Sequence, residues 1–178
     1  MSNVLKNITI IGASGNLGTK TLEALLKNDQ HRITVITRLS STATYPSPVT
    51  VKRGQYDDTA FLESALQGQD VLIVMLAFAG MQSEAPILEA AARAGVKYVF
   101  PSDYGADLSI KGTSFAIKLI EMKEKTFQHV QSLGMKWIVV VTNPWTDYVC
   151  SSPERNTTVR TIDRRLVFGT GSLRDLHS

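Results

Sequence analysis

Three glycines, Gly12, Gly15 and Gly18, follow a short β-branched run near the start of the chain. The run Ile8–Ile11 is typical of a buried strand, and Asn16–Lys27 places its leucines near one face of a helix. The spacing is GxxGxxG, and it has the strand–turn–helix context that a phosphate-binding glycine turn requires. Gly12 suits the tight turn, Gly15 lets the backbone approach a pyrophosphate, and Gly18 lets the helix pack closely. The motif therefore favours a dinucleotide-binding turn over a purely structural one.

The residues between these glycines complete the predicted turn. We expect the backbone of Asn16 and Leu17, at the positive end of the helix, to face the phosphates, together with the Ser14 hydroxyl or N–H. Two rival motifs do not match. A P-loop needs Lys before Thr, but Thr19 precedes Lys20, and a nucleophile elbow needs a residue between its Ser and the next Gly.

Strand-like and helix-like segments alternate along the first 142 residues. This alternation predicts an α/β fold with a doubly wound parallel sheet of the Rossmann type, whose ligands bind at the carboxyl ends of the strands. After the first strand and helix, we predict strands at Ile33–Thr37, Val49–Val51, Val71–Leu76, Val96–Phe100 and Trp137–Val141, and helices at Thr59–Leu66, Glu84–Ala94 and Phe115–Leu133.

The end of the second strand predicts which nucleotide binds. An acidic residue there binds the ribose 2′-hydroxyl of NAD, whereas an arginine accommodates the 2′-phosphate of NADP. The strand ends in Arg38, and no acidic residue occurs between Asp29 and Asp57. This favours NADP(H), although Arg38 as an ordinary surface residue is the alternative.

Composition excludes several classes of protein. The net charge of +3, without an interleaved basic and aromatic patch, argues against nucleic-acid binding. The longest apolar run, Val71–Ala79, is too short to span a bilayer. The three histidines match no metal spacing, so no metal is predicted, and the single Cys150 suits a reducing compartment. We expect a cytoplasmic protein with a small-molecule ligand.

Several segments together resemble the NmrA-like and isoflavone reductase-like proteins, which are atypical short-chain dehydrogenases/reductases. These segments are ITIIGASGNLG, VITR, ALQGQDVLIV and AARAGVKYVFPSDYGAD, and the likeness is closest to the fungal isoflavone reductase-like branch. The resemblance covers roughly residues 4–145. It implies an NADP(H)-binding Rossmann domain over 1–142, followed at 143–178 by only the start of a smaller substrate-binding domain.

The resemblance also implies a catalytic lysine. Family reductases carry it eleven residues before a glycine, and Lys123 stands in that position relative to Gly134. Its implied roles are to bind the nicotinamide ribose and to assist proton transfer. The tyrosine of the common YxxxK pair is absent, because Leu119 occupies its position. Lys123 as a solvated surface charge is the alternative.

Other family positions imply contacts with the cofactor or the substrate. For the cofactor these are Gln55, where many relatives have Asp, and Ala77, Phe78 and Ser102. For the substrate they are Tyr104, Asn143 and Trp145. Core packing is the alternative for Phe78 and Trp145, and loop packing is the alternative for Tyr104 and its neighbour Asp103.

Three functions follow from the resemblance. The first is an NADPH-dependent oxidoreductase that transfers hydride to a small, aromatic or unsaturated carbonyl substrate. The second is an NADP(H)-sensing regulatory protein that contacts a protein partner and has no turnover. The third is a shortened, inactive family product, because family members extend well beyond 178 residues.

Overall fold

The fold is described from a computed structural model. It covers residues 5–105, 114–142 and 165–169, and for 114–120 and 165–169 it describes the backbone alone. Strands and helices alternate as the sequence predicts. The strands are β1 Asn7–Ile11, β2 Arg32–Arg38, β3 Thr50–Gly54, β4 Val71–Val74, β5 Tyr98–Phe100, β6 Lys136–Val141 and β7 Arg165–Gly169. The helices are α1 Asn16–Asn28, α2 Thr59–Leu66, α3 Glu84–Arg93 and α4 Ser114–Ser132, and a 3-10 helix spans Phe78–Ser83.

The strands form one sheet in the order β3-β2-β1-β4-β5-β6-β7. The first six strands run parallel, and the pairing of Ile8 with both Ile33 and Val71 places β1 between β2 and β4. The predicted doubly wound α/β class is thus confirmed. The strand order reverses between β1 and β4, the position at which such sheets bind ligands.

A seventh strand extends the sheet beyond the prediction. β7 pairs antiparallel with β6, with Ile138 opposite Phe168. Its residues lie in the segment 143–178 that we assigned to a second domain, and that division of the chain stays a prediction. The pairing was not predicted because a five-residue apolar run does not reveal its partner strand.

Both faces of the sheet are covered by packed side chains. One face buries Ile11, Leu72 and Phe127 among helices α2, α3 and α4, and the other buries Ile10 and Val35 with α1. All four residues of β4 are buried, as expected for a parallel strand with helices on both sides. Because both faces are covered, a ligand would bind at the ends of the strands, and in this fold class it binds at their carboxyl ends.

Most predicted boundaries lie within one or two residues of those observed. β4 ends at Val74 rather than Leu76, and β5 begins at Tyr98 rather than Val96. Met75 is still buried and its N–H still donates to the Ile11 carbonyl at 2.9 Å. The apolar run therefore continues past the strand because the core continues there. Within the described residues, no helix combines the length and the apolar character needed to cross a membrane.

Candidate functional site

The glycine turn between β1 and α1 cannot accommodate a side chain at two of its three glycines. Gly12 has a φ of +87°, and a Cβ there would lie 2.8 Å from the Met75 carbonyl carbon. A Cβ on Gly18 would lie 2.7 Å from the Ala13 Cα. Real Cβ atoms do not approach backbone so closely, so the turn depends on both glycines. At Gly15 the nearest atom would be the Gly12 carbonyl oxygen at 3.4 Å, so only there is the space open.

The first turn of α1 has the features of an anion site. Gly15 is the N-cap residue and provides no side-chain hydrogen bond, and the first turn contains no acidic residue. Ser14, Gly15 and Asn16 are exposed, and Leu17 is half-buried. The Gly15 N–H donates to the Gly12 carbonyl at 3.0 Å. The first N–H groups of α1 have no acceptor within the helix, and this exposed turn carries the partial positive charge of the helix end.

The ends of β2 and β3 bring a second group of predicted residues together. Arg38 pairs with Gly54 in the parallel ladder, which places it beside Gln55, and both side chains are exposed. Tyr56 donates to the Ile36 carbonyl at 3.4 Å. Burial raises the pKa of Tyr56 to about 12, although the positive charge of Arg38 acts in the opposite direction. This corner therefore has an exposed cation and an exposed amide.

The segment after β4 lies at the same edge of the sheet. Ala77 and Phe78 are both exposed, and 70% of the Phe78 surface is accessible. The alternative of core packing is thus excluded for Phe78. A large apolar side chain at the carboxyl edge of the sheet is available for contact with a ligand.

Ser102 joins the ends of two strands. Its hydroxyl donates to the Leu76 carbonyl at 3.0 Å and accepts from the Leu76 N–H at 2.9 Å. Its own N–H donates to the Glu84 carboxylate at 2.6 Å. These bonds occupy the hydroxyl and hold the β5 loop against the end of β4. The Ser102 contact with a cofactor stays a prediction.

Lys123 lies inside the molecule and forms an ion pair with Asp103. The side chains are only 8% and 6% exposed, so Lys123 is not a solvated surface charge. Burial raises the pKa of Asp103, and the charge of Lys123 acts in the opposite direction. Gly105 lies close by, because a Cβ there would be 3.8 Å from Lys123 Nζ. The Lys123 ammonium group therefore lies against the loop that follows β5, which carries Asp103.

The same loop is tied to the end of β6. The Thr142 hydroxyl donates to the Tyr104 carbonyl at 2.6 Å, and the Thr142 N–H donates to the Gly105 carbonyl at 3.2 Å. Burial, followed by the nearby charges of Glu84 and Asp103, raises the pKa of Tyr104 well above its ordinary value, so its phenol stays protonated. Asn143 and Trp145, the other predicted substrate contacts, lie outside the described residues.

Two buried acidic residues in this region are not among the predicted site residues. Glu84 is 4% exposed and Asp103 is 6% exposed, and each lies close to the end of a strand. Glu84 has the sequence appearance of an ordinary first-turn helix residue, and Asp103 that of a loop cap. One signal in the sequence could have indicated that Glu84 faces the core. Glu84 lies four residues before the buried Leu88, on the same face of α3. Across the described part of the chain, no three potential metal ligands come together.

Comparisons with known proteins agree with this architecture. The model of the NmrA-like family matches residues 5–152. The oxidoreductase aprR of Aspergillus flavus is 32% identical over 146 residues, which cover 78% of this chain and 48% of that protein. The crystal structure of isoflavone reductase has a TM-score of 0.74 at 19% identity, covering 89% of this chain and 57% of that one. The structure of AtPrR2 with NADP+ and (+)pinoresinol has a TM-score of 0.71 at 18% identity, covering 82% and 52%.

This chain thus spans about half the length of the relatives it matches. The shared part contains the glycine turn, the end of β2 and Lys123, because the family match extends over all of them.

Proposed function

This chain belongs to the NmrA-like family, and from that premise we propose that it is an NADPH-dependent oxidoreductase. It transfers a hydride to a small unsaturated or carbonyl substrate, most suitably an aromatic one. The observation that carries the proposal is the position of Lys123. This buried lysine pairs with Asp103 of the loop after β5. That loop and the glycine turn after β1 both lie at the carboxyl ends of the parallel strands.

The residues at this edge fit a dinucleotide phosphate. The turn at Gly12 and Gly18 has no room for a Cβ, and the first turn of α1 has no side-chain cap. The backbone N–H groups of Ser14, Asn16 and Leu17 would hold the pyrophosphate, since that of Gly15 already donates to the Gly12 carbonyl at 3.0 Å. Arg38 would hold the 2′-phosphate, since a guanidinium binds phosphate through two parallel hydrogen bonds. A solved relative of the same fold, AtPrR2, contains NADP+.

The chemistry of the reaction divides between the cofactor and the protein. NADPH, when bound, supplies the hydride. Lys123 would bind the nicotinamide ribose and deliver a proton to the reduced substrate, and its burial strengthens its electrostatic interactions. Phe78, exposed at the edge, would pack against the cofactor or an apolar substrate. Tyr104, which stays protonated, would line the substrate side together with Asn143 and Trp145.

The cofactor part is tested by titrating the purified protein with NADPH and NADH while following nicotinamide fluorescence. We expect NADPH to bind at least tenfold more tightly than NADH, the discrimination typical of one well-made ionic contact. Failure of both nucleotides to bind would refute the proposal. Tighter binding of NADH would refute the assignment of Arg38.

The catalytic part is tested by NADPH oxidation with aromatic carbonyl and enone substrates, comparing wild type with Lys123→Met. Methionine keeps the length and apolar stem of lysine but removes the ammonium group. We expect a loss of about 100-fold or more in kcat with NADPH affinity changed far less. NADPH binding without turnover of any substrate would instead identify a nucleotide-sensing regulator, for which a protein partner is then sought.

A further inference from the structure

Two buried carboxylates meet at the loop after β5, and one of them pairs with the proposed catalytic lysine. Asp103, in the loop after β5, makes the ion pair with Lys123 of α4. Glu84, at the start of α3, accepts from the N–H of Ser102, the residue before Asp103. The titratable groups that face this pair are Glu84 from α3 and Tyr104 from the loop. The cluster therefore joins three separate elements at one point.

Burial of this cluster needs an explanation, because charges inside a protein cost free energy unless they are paired. The cluster holds two carboxylates for one ammonium group. The hydrogen bond that Glu84 accepts comes from the backbone N–H of Ser102. Burial first, and the charge of Asp103 in addition, raise the pKa of Glu84, while the bond from Ser102 lowers it. An arrangement kept only for stability would favour apolar residues at this position.

The backbone that carries Asp103 is held on three sides. The Asp103 N–H donates to the Pro101 carbonyl at 2.6 Å, and the Ser102 N–H donates to Glu84 at 2.6 Å. At the far end of the loop, the Thr142 N–H donates to the Gly105 carbonyl. These bonds restrain the backbone from which the Asp103 side chain projects, and its Oδ1 meets Lys123 Nζ.

We propose that Asp103 and Glu84 are positioning residues for Lys123. Asp103 orients the ammonium group through the buried ion pair, and Glu84 holds the backbone from which that carboxylate projects. The proposal rests on the proposed function, in which Lys123 must stand in one place beside the nicotinamide ribose. It deepens that function by adding two acidic residues, from α3 and the β5 loop, that themselves need not touch the substrate.

The test measures the reactivity of Lys123 and needs no substrate. Reductive methylation at pH 8 is followed residue by residue with mass spectrometry, and the exposed Lys125 of the same helix is the internal control. In wild type we expect Lys123 to react much more slowly than Lys125. Asp103→Asn, which keeps the shape but removes the charge, should raise the Lys123 rate about tenfold, the effect of losing one close counter-charge. Glu124→Gln, an exposed acid on the same helix, is the matched control and should change nothing.

Glu84 is tested by a pair of variants. Glu84→Gln keeps an oxygen that accepts from Ser102 and should leave the Lys123 rate near that of wild type. Glu84→Leu removes the acceptor and should raise the rate as Asp103→Asn does. If the leucine variant does not fold, Glu84→Asp replaces it, because its shorter side chain withdraws the acceptor by one methylene. A wild-type Lys123 rate in Asp103→Asn overturns the proposal, and equal rates in the two Glu84 variants overturn the part assigned to Glu84.

Addition of NADPH separates this proposal from the proposed function. Protection of Lys123 from methylation by NADPH in wild type supports its place beside the ribose. If NADPH binds without protecting Lys123, the catalytic assignment fails. The response of the unliganded protein to Asp103→Asn still decides whether Asp103 positions Lys123.

Discussion

In the proposed function, the exposed Arg38 selects NADPH over NADH. It ends β2 and lies beside Gln55, and its guanidinium is exposed to solvent. An exposed cation adds little to folding stability because water and salt screen it. We propose that it contributes instead to ligand binding, where a phosphate would approach it directly.

We predict that Arg38→Gln weakens NADPH binding about tenfold at low salt and leaves NADH binding unchanged, because the charge-assisted contact with the 2′-phosphate is lost. Fluorescence titration of both nucleotides measures this. Arg32→Gln, at the opposite end of the same strand and also exposed, is the control and should bind as wild type does. An equal loss for both nucleotides would show that Arg38 does not contact that phosphate.

At Gly18 the neighbouring backbone leaves no space for a side chain. Gly18→Ala should destabilise the protein by about 1–3 kcal/mol, since the new methyl group must displace the backbone of Ala13. Urea unfolding followed by circular dichroism measures the loss. Gly80→Ala is the matched control, because a Cβ there would meet no atom nearer than 3.8 Å. Equal stability of the two variants would contradict the close packing of α1 on the turn.

At the scale of helices and strands, an aromatic contact packs α4 against the sheet. Phe127 of α4 is 2% exposed and stacks on Trp137 of β6, with ring centroids 5.0 Å apart and planes 25° apart. The same helix carries Lys123 one turn earlier. The position of the lysine therefore depends on this contact as well as on the ion pair.

We predict that Phe127→Ala lowers the free energy of unfolding by about 3–5 kcal/mol, the usual cost of an aromatic cavity in a core. Phe78→Ala, at an exposed phenylalanine, should change it by less than about 0.5 kcal/mol. Thermal and urea unfolding of both variants check this. The reverse order of effects would mean that α4 does not pack on the sheet through Phe127.

At the scale of the whole molecule, two carboxyl groups make the free energy of unfolding depend on pH in opposite directions. Backbone hydrogen bonds, first from Asn7, lower the pKa of Asp70, so its contribution to stability is present above its ordinary value and is lost as pH falls. Burial raises the pKa of Glu84 above its ordinary value of 4.5. Its contribution is therefore fully present below that value and is lost as pH rises through the raised value.

We predict that wild type gains stability as pH rises toward the ordinary pKa of Asp70, 3.8, and loses part of it as pH rises above the ordinary pKa of Glu84, 4.5. Glu84→Gln should reduce the loss of stability at higher pH, here called the alkaline slope. Asp70→Asn should reduce the gain of stability at lower pH. Urea unfolding at several pH values measures both slopes. An unchanged alkaline slope in Glu84→Gln would mean that Glu84 does not hold its proton in the folded state.

Much of this molecule could be predicted from local pattern. The β-branched runs at Ile8–Ile11 and Ile33–Thr37 correspond to β1 and β2, and the glycine spacing locates the turn between β1 and α1. These features are predictable because strand alternation and backbone sterics act between residues that are close in sequence. The resemblance to a family identified Lys123, which no periodicity would have distinguished from Lys125 on the same helix.

By itself, the sequence determined the α/β class, the glycine turn and the cation at the end of β2, because each depends on neighbours within a few residues. Only the tertiary structure decided that β7 joins the sheet beside β6, that Phe78 is exposed and that Lys123 is buried against Asp103. The strand pairing and the ion pair each join residues 20 or more positions apart, as Lys123 and Asp103 are. The burial that makes such a pair strong or costly exists only after the elements have packed.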